Sequence, residues 1–213
     1  MAARRRRVLL GTLAVLAAAG AAAPYYTGLQ VQGHFRAWLE RLRASPRVRV
    51  EEARYERGWG EARARTALTL HLPDRTLHLA VEHRIEHGPR PGLAALARIT
   101  STPEAPPSLR PLVRRLFADR PPVEAVTTIG FDGSPNVVIH SPSFDATLRD
   151  DDPTRVRWEG LEVQMRAHAH RLRLHGRAPG LTLATQRASL HLQGWRSMPV
   201  SGRVAGPGWA RAG

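Results

Sequence analysis

The chain has no cysteine and no lysine, a single asparagine (Asn136), and only 6% aromatic residues among its 213. Without cysteine there is no disulfide frame, no thiolate chemistry and no Cys-bound zinc, although the compartment is left open. G-x-x-x-x-G-K-[ST], G-x-S-x-G and G-x-G-x-x-G are all missing, which removes the commonest phosphate-loop, nucleophile-elbow and dinucleotide arrangements. All 32 basic residues are arginine against 18 acidic ones, a formal charge of +14. A charge of that size invites nucleic acid or an anionic surface. Complete replacement of lysine by arginine, with Ala, Gly and Pro abundant, is also what GC-rich coding produces. The charge is therefore read first as a solvated Arg surface. The alternative is an Arg-rich binder of anionic polymer or an anionic lipid surface.

Long hydrophobic runs are scarce too, and the one present is amino-terminal. Arg4 to Arg7 form a basic cluster, Val8 to Ala23 carries no charge, and Pro24-Tyr25-Tyr26 follows. Val8, Leu9, Leu10, Leu13, Val15 and Leu16 supply the hydrophobicity, and Tyr25 and Tyr26 suit a membrane–water interface. Val8 to Tyr26 is about 19 residues, close to the roughly 20 that cross a bilayer as a helix. Ala21-Ala22-Ala23 would serve as the cleavage site of a signal peptide, but Pro24 is a poor first residue for a mature chain, which favours an uncleaved anchor. In both cases the basic cluster stays in the cytoplasm and the bulk of the chain is exported. The expected location is the inner membrane, single-pass, with the bulk in the periplasm.

Beyond the anchor, Val31, Phe35, Trp38, Leu39 and Leu42 form one stripe of a 3.6-residue repeat, ended by Ser45-Pro46. Such a stripe packs on its own sheet or lies on a membrane; packing on the sheet is favoured. Leu68, Leu70 and Leu72 then alternate with polar residues, Pro73-Asp74-Arg75 turns the chain, and Leu77, Leu79, Val81 and Ile85 return, which predicts a hairpin with one buried face. Pro-rich sequence from Pro89 to Pro122 predicts two short helices, at Leu93–Ile99 and at Leu109–Phe117, the second capped by Ser108. Asp132-Gly133 predicts a hairpin between Val126–Phe131 and Val137–His140. Asp150-Asp151-Asp152-Pro153 reads as a solvated turn. Val156 and Trp158 share one parity and Leu161, Val163 and Met165 the other, so Gly160 predicts a bulge. Gly176 and Pro179-Gly180 predict a turn between Leu172/Leu174 and Leu181/Leu183, with Leu190/Leu192 continuing the sheet.

Two arrangements invite chemistry. His83-Arg84-Ile85-Glu86-His87 matches the zinc-protease pattern H-x-x-E-H, which needs a helix. Here the residues continue a strand's alternation, which sets the two histidines roughly 13 Å apart, too far for one zinc. The match is read as accidental. His168 and His170 lie one pleat apart, with His175 near, and lack a third ligand; they are read as exposed. Arg57-Gly58-Trp59-Gly60 presents an aromatic beside a cation, yet the glycines are read as a kink that lets the indole drop into the core.

Four segments in order resemble the YdgA-like family of bacterial envelope proteins, a domain of unknown function. They are Tyr26-Thr27-Gly28 after the apolar run, Tyr55-Glu56-Arg57-Gly58-Trp59, His87-Gly88-Pro89, and Trp158-Glu159-Gly160-Leu161. The resemblance runs from about residue 8 to residue 200. It implies an inner-membrane-tethered, export-side, largely β protein with no catalytic residues to carry over. Family members are about twice this length, so the resemblance is to the amino-terminal half.

The expected fold is mainly β (α+β), an antiparallel twisted sheet of consecutive hairpins with an N-terminal transmembrane or signal helix and short amphipathic helices. Residues 1–27 form the basic region and anchor, 28–197 a single export-side domain, and 198–213 a disordered tail. The expected function is a non-enzymatic scaffold, or a lipid- or partner-binding β domain, with no cofactor and no metal. The membrane and an envelope protein or lipid are its expected partners, and nucleic acid is not.

Overall fold

A computed structural model describes the backbone of residues 2–118, 120–148, 154–168, 171–185, 188–196 and 200–203, and within these the side chains from residue 23 to residue 194. Asp150–Pro153, His170, and 198–199 and 204–213 of the predicted tail lie outside the described residues. The architecture is mainly β and antiparallel, as expected. Its contacts gather into two compact units, Met1–Ile99 and Thr100–Gly213, within what the sequence presents as one domain after residue 28.

The first unit opens with one helix, α1 (Ala2–Arg43), rather than an anchor followed by a separate helix. Pro24 sits inside it. Proline has no N–H, so the Gly20 carbonyl loses its intrahelical partner there, while the Ala- and Leu-rich sequence that precedes it favours helix. The Thr27 hydroxyl lies 3.2 Å from the Ala23 carbonyl oxygen and 3.1 Å from that of Pro24. Among the described residues no helix is long and apolar enough to cross a membrane, and the side chains of Val8, Leu9, Leu10, Leu13, Val15 and Leu16 are outside that set.

The apolar stripe of α1 packs on β1 (Val48–Arg57), β2 (Glu61–His71) and β3 (Thr76–His87), as the 3.6-residue repeat predicts. Val31 and Leu39 are buried, and the Phe35 ring meets Tyr55 at 5.2 Å and His83 at 6.1 Å between centroids. The three strands form a meander. β1 pairs β2 from Val48↔Leu70 to Arg57↔Ala62, with an irregularity between Val50 and Glu52, and β2 pairs β3 from Glu61↔Glu86 to His71↔Thr76. The buried face is Ala62, Ala64, Thr66, Leu68, Ile85 and His87. It fades toward the far end, where Leu72 and Leu77 are exposed, because these share the hairpin's alternation but not the helix's cover.

The helix expected at Leu93–Ile99 is not formed. Arg90 and Leu93 make a bridge, and β4 (Ala97–Pro103) follows. Leu93, Ala95 and Ala97 are buried, a period of two. Pro89, Pro91 and Gly92, the last at φ +81°, hold this segment in a tight turn whose Arg90 and Leu93 backbones bond each other.

In the second unit α2 (Arg110–Phe117) forms where expected, but its N-cap is Leu109 with no side-chain cap, so Ser108 does not play that role. Pro111 in the first turn needs no N–H there. Phe117 is buried edge-on against Phe144, 5.0 Å between centroids. β5 (Glu124–Ile129) and β6 (Pro135–Ser141) make the expected hairpin. Asp132 accepts hydrogen bonds from the Ser134 N–H and hydroxyl, and Gly133 supplies φ +75°. Phe131 lies in the turn, 63% exposed.

β7 (Phe144–Thr147), β8 (Arg155–Trp158), β9 (Leu161–His168), β10 (Arg171–Ala184), β11 (Ser189–Arg196) and β12 (Val200–Arg203) complete this sheet. No bulge is present at Gly160. β8 and β9 keep a single register on β10, from Leu181↔Trp158 to Arg177↔Glu162, so no residue is inserted between them. β7 and β6 keep one register on β8 and β9 as well, from Phe144↔Trp158 to Ser141↔Leu161. Gly160, at φ +93°, switches the face instead. The turn expected at Gly176 and Pro179-Gly180 is also absent: β10 runs straight through, bonded to β9 and β12 at one end and to β8 and β11 at the other. A break line thus crosses neighbouring strands at Pro142, Gly160 and Pro179-Gly180, and the apolar parity changes on each. β12 falls within the expected disordered tail.

Candidate functional site

Three of the four resemblance segments meet where α1 crosses the ends of β2 and β3. Gly28, on the helix, faces the His87 ring so closely that a Cβ there would stand 2.7 Å from Cε1 and Nδ1. One residue earlier, the Thr27 hydroxyl donates to the Gly88 carbonyl at 2.6 Å. The His87 N–H donates to the Gly60 carbonyl at 2.9 Å, which ties in the β1–β2 turn. Gly88 itself stands where a side chain would overlap the Ala95 carbonyl oxygen, and its N–H donates to Leu96. Pro89 follows through a cis peptide bond. Helix, turn and strand are thereby clamped together, and at Gly28 and Gly88 no room is left for a Cβ.

Burial shifts the ionisable groups at this crossing. His87 is fully buried, and neither ring nitrogen has a hydrogen-bond partner. Burial pushes its pKa below the ordinary histidine value, a shift that the Trp59 backbone and Glu61 oppose and the Arg57 and Arg90 charges reinforce. Burial likewise lowers His83, which lies edge-on to Phe35 and Trp38. The Tyr55 hydroxyl is buried without a partner; burial raises its pKa, with Arg57 acting the other way.

The H-x-x-E-H segment is part of β3, as its alternation predicts. His83 and His87 share the buried face, and Glu86 points to the other, where it pairs with Arg90 and with Arg98 at 3.7 Å. Among the described residues no three potential ligands gather. His168 is exposed, 3.2 Å from Asp132.

Trp59 does not drop into the core. It is 62% exposed, and its ring lies on Tyr25, 5.2 Å between centroids at 38°. Tyr26, 65% exposed, meets Tyr25 edge-on at 5.9 Å. The Arg57 guanidinium sits over the Tyr25 ring, 4.8 Å from its centroid, with Nη2 3.4 Å from the phenol oxygen. In this turn the Gly58 N–H donates to the Glu61 carbonyl at 2.8 Å, and a Cβ on Gly58 would stand 3.0 Å from that oxygen.

The fourth segment belongs to the second unit and has a different task. Trp158 donates through Nε1 to the Ser141 hydroxyl at 3.1 Å, the Glu159 N–H donates to Gly180 at 3.1 Å, and a Cβ on Gly160 would stand 3.1 Å from the Ser141 carbonyl oxygen. With half-buried Leu161 it forms the break line of that sheet. Sequence reasoning passed over the partnership of Thr27 with Gly88 and of Tyr25 with Trp59, since no local period links positions this far apart.

This is a chain whose motif residues build a helix-to-sheet clamp. It belongs to a family of bacterial proteins of unknown function (DUF945), whose model matches residues 5–198. No curated protein and no solved structure matches it significantly.

Proposed function

We propose that this chain is a non-catalytic, membrane-tethered scaffold of the bacterial envelope, single-pass in the inner membrane with its bulk in the periplasm. The observation that carries this is the continuity of α1: one helix holds the apolar run Val8–Ala23 and the stretch that Thr27–Gly88 and Gly28–His87 clamp to the first unit's sheet. A flexible leader would need no such clamp. A domain that must be held at a fixed orientation to a bilayer does. The YdgA-like resemblance points the same way.

The first unit's apolar face is covered by its own helix from Ala62 to Leu68, with Leu72 and Leu77 left exposed beyond it, which suits an arm rather than a lipid groove. The second unit leaves Leu190 and Leu192 on β11 about half exposed, a surface suited to an envelope partner or lipid. The test is fractionation of the expressed full chain: retention in membranes through alkaline carbonate, with a reporter fused after Arg120 active only on the export side. Extraction by carbonate, or a reporter active only in the cytoplasm, refutes the proposal.

A further inference from the structure

The cluster of Tyr25, Tyr26, Leu29, Arg57 and Trp59 is unusual for a surface facing water. Trp59, Tyr26 and Leu29 are exposed, and Tyr25 meets an indole at 5.2 Å and a guanidinium at 4.8 Å. The ion pairs of this sheet use Arg65, Arg84, Arg90 and Arg98, while Arg57 is directed onto Tyr25. Two chain segments supply the cluster: one turn of α1 and the tip of the β1–β2 hairpin.

Position on the helix indicates what covers it. Tyr25 stands two residues beyond the apolar run, and from Ala23 to Leu29 the helix climbs about 9 Å. A bilayer's headgroup layer is roughly 5–8 Å on each side of its hydrocarbon core. Tyrosine and tryptophan rings concentrate in that layer, where an apolar body and a polar tip are both satisfied, and arginine pairs there with phosphate. A helix leaving a bilayer needs no contribution from a hairpin 30 residues away, yet Trp59 and Arg57 are brought to the same level.

We propose that this cluster is an interfacial foot: Trp59 and Tyr26 insert at the headgroup level of the bilayer that α1 enters, and Arg57, held over Tyr25, contacts lipid phosphate. This rests on the tether described above and adds that the folded first unit itself touches the membrane through its β1–β2 turn.

The test reconstitutes the full chain in vesicles of phosphatidylcholine and phosphatidylglycerol, with and without acyl chains brominated near the headgroup, and reads tryptophan emission. Bromolipid quenches the wild-type chain, and Trp59→Phe loses most of that quenching. Tyr26→Trp, at an equally exposed position, adds a blue-shifted quenchable component. Arg57→Gln weakens the quenching in both lipids, since each carries the phosphate, and weakens it more with phosphatidylglycerol present, whose phosphate charge no choline offsets; quenching unchanged in both overturns the phosphate contact. Protein retained through a carbonate wash but quenched equally in wild type and Trp59→Phe overturns the foot and leaves the tether standing. Protein stripped from the vesicles by that wash overturns both.

Discussion

At Gly28 the helix gives up a side chain because a histidine from the sheet occupies its place. Two terms compete there. Alanine would improve helix propensity by about 1 kcal/mol, and its Cβ, 2.7 Å from two ring atoms of His87, would force a shift in a packed site at about 1–3 kcal/mol. The clash is expected to win, so Gly28→Ala lowers stability and Gly28→Val lowers it further. In a His87→Ala background the ring is gone and only propensity remains, so Gly28→Ala should then stabilise. Urea unfolding of the four chains in detergent measures this cycle, and the same sign in both backgrounds would show that Gly28 does not answer to His87. The motif letters at Thr27-Gly28 and His87-Gly88-Pro89 were plain in the sequence, but their contact was not. Sequence spacing reports neighbours three, four or two residues away, and this pair is joined only by the path of the sheet.

Elements were legible to the extent that one rule governed them. The stripe from Val31 to Leu42 and the alternation from Leu68 to Ile85 obeyed a single period and formed a helix and a hairpin, although the buried face stops short of Leu72 and Leu77. Leu93–Ile99 misled because alanine favours helix while burial at 93, 95 and 97 followed a strand, and tertiary cover decided. β10 misled because Gly176 and Pro179-Gly180 are turn signals that here serve a break between two sets of neighbours. Leu39, buried on the stripe, should lose about 2–5 kcal/mol on Leu39→Ala, against about 0.5 kcal/mol or less for exposed Gln30→Ala, read by the same unfolding assay. Equal effects would mean that α1 does not pack on the sheet. Gly160 and Gly92 both hold positive φ, but a Cβ would crowd its surroundings only at Gly160, where the Ser141 carbonyl oxygen would stand 3.1 Å away. Left-handed strain alone costs about 1–3 kcal/mol. Gly92→Ala should therefore cost about that much and Gly160→Ala more; the reverse order would remove the close approach as the reason for the break line.

At the scale of the molecule, the two units respond to acid through different groups. In the first, burial holds His83 and His87 below the ordinary histidine value of 6.5. Under weakly acidic conditions the unfolded chain then binds protons that the folded unit refuses, so stability present above the unfolded value is lost as pH falls through it. In the second, Asp145 is drawn down from 3.8 to about 2 by hydrogen bonds from Arg155 and from Arg157, at 2.8 Å and 3.0 Å. Its contribution is present above 3.8 and disappears only as pH falls toward 2. Because this cluster is exposed its effect is small, and what matters is the order of the two windows. Amide exchange, corrected for intrinsic rates, should show β2 and β3 losing protection between about pH 7.5 and 5.5 while β6 and β9 hold theirs. Protection in β2 and β3 that is flat across that interval would mean the buried histidines do not set the first unit's acid limit. Loss of protection there would loosen the first unit's hold on α1 while the second unit's strands stay closed, which ties the first unit's acid limit to the two imidazoles of His83 and His87.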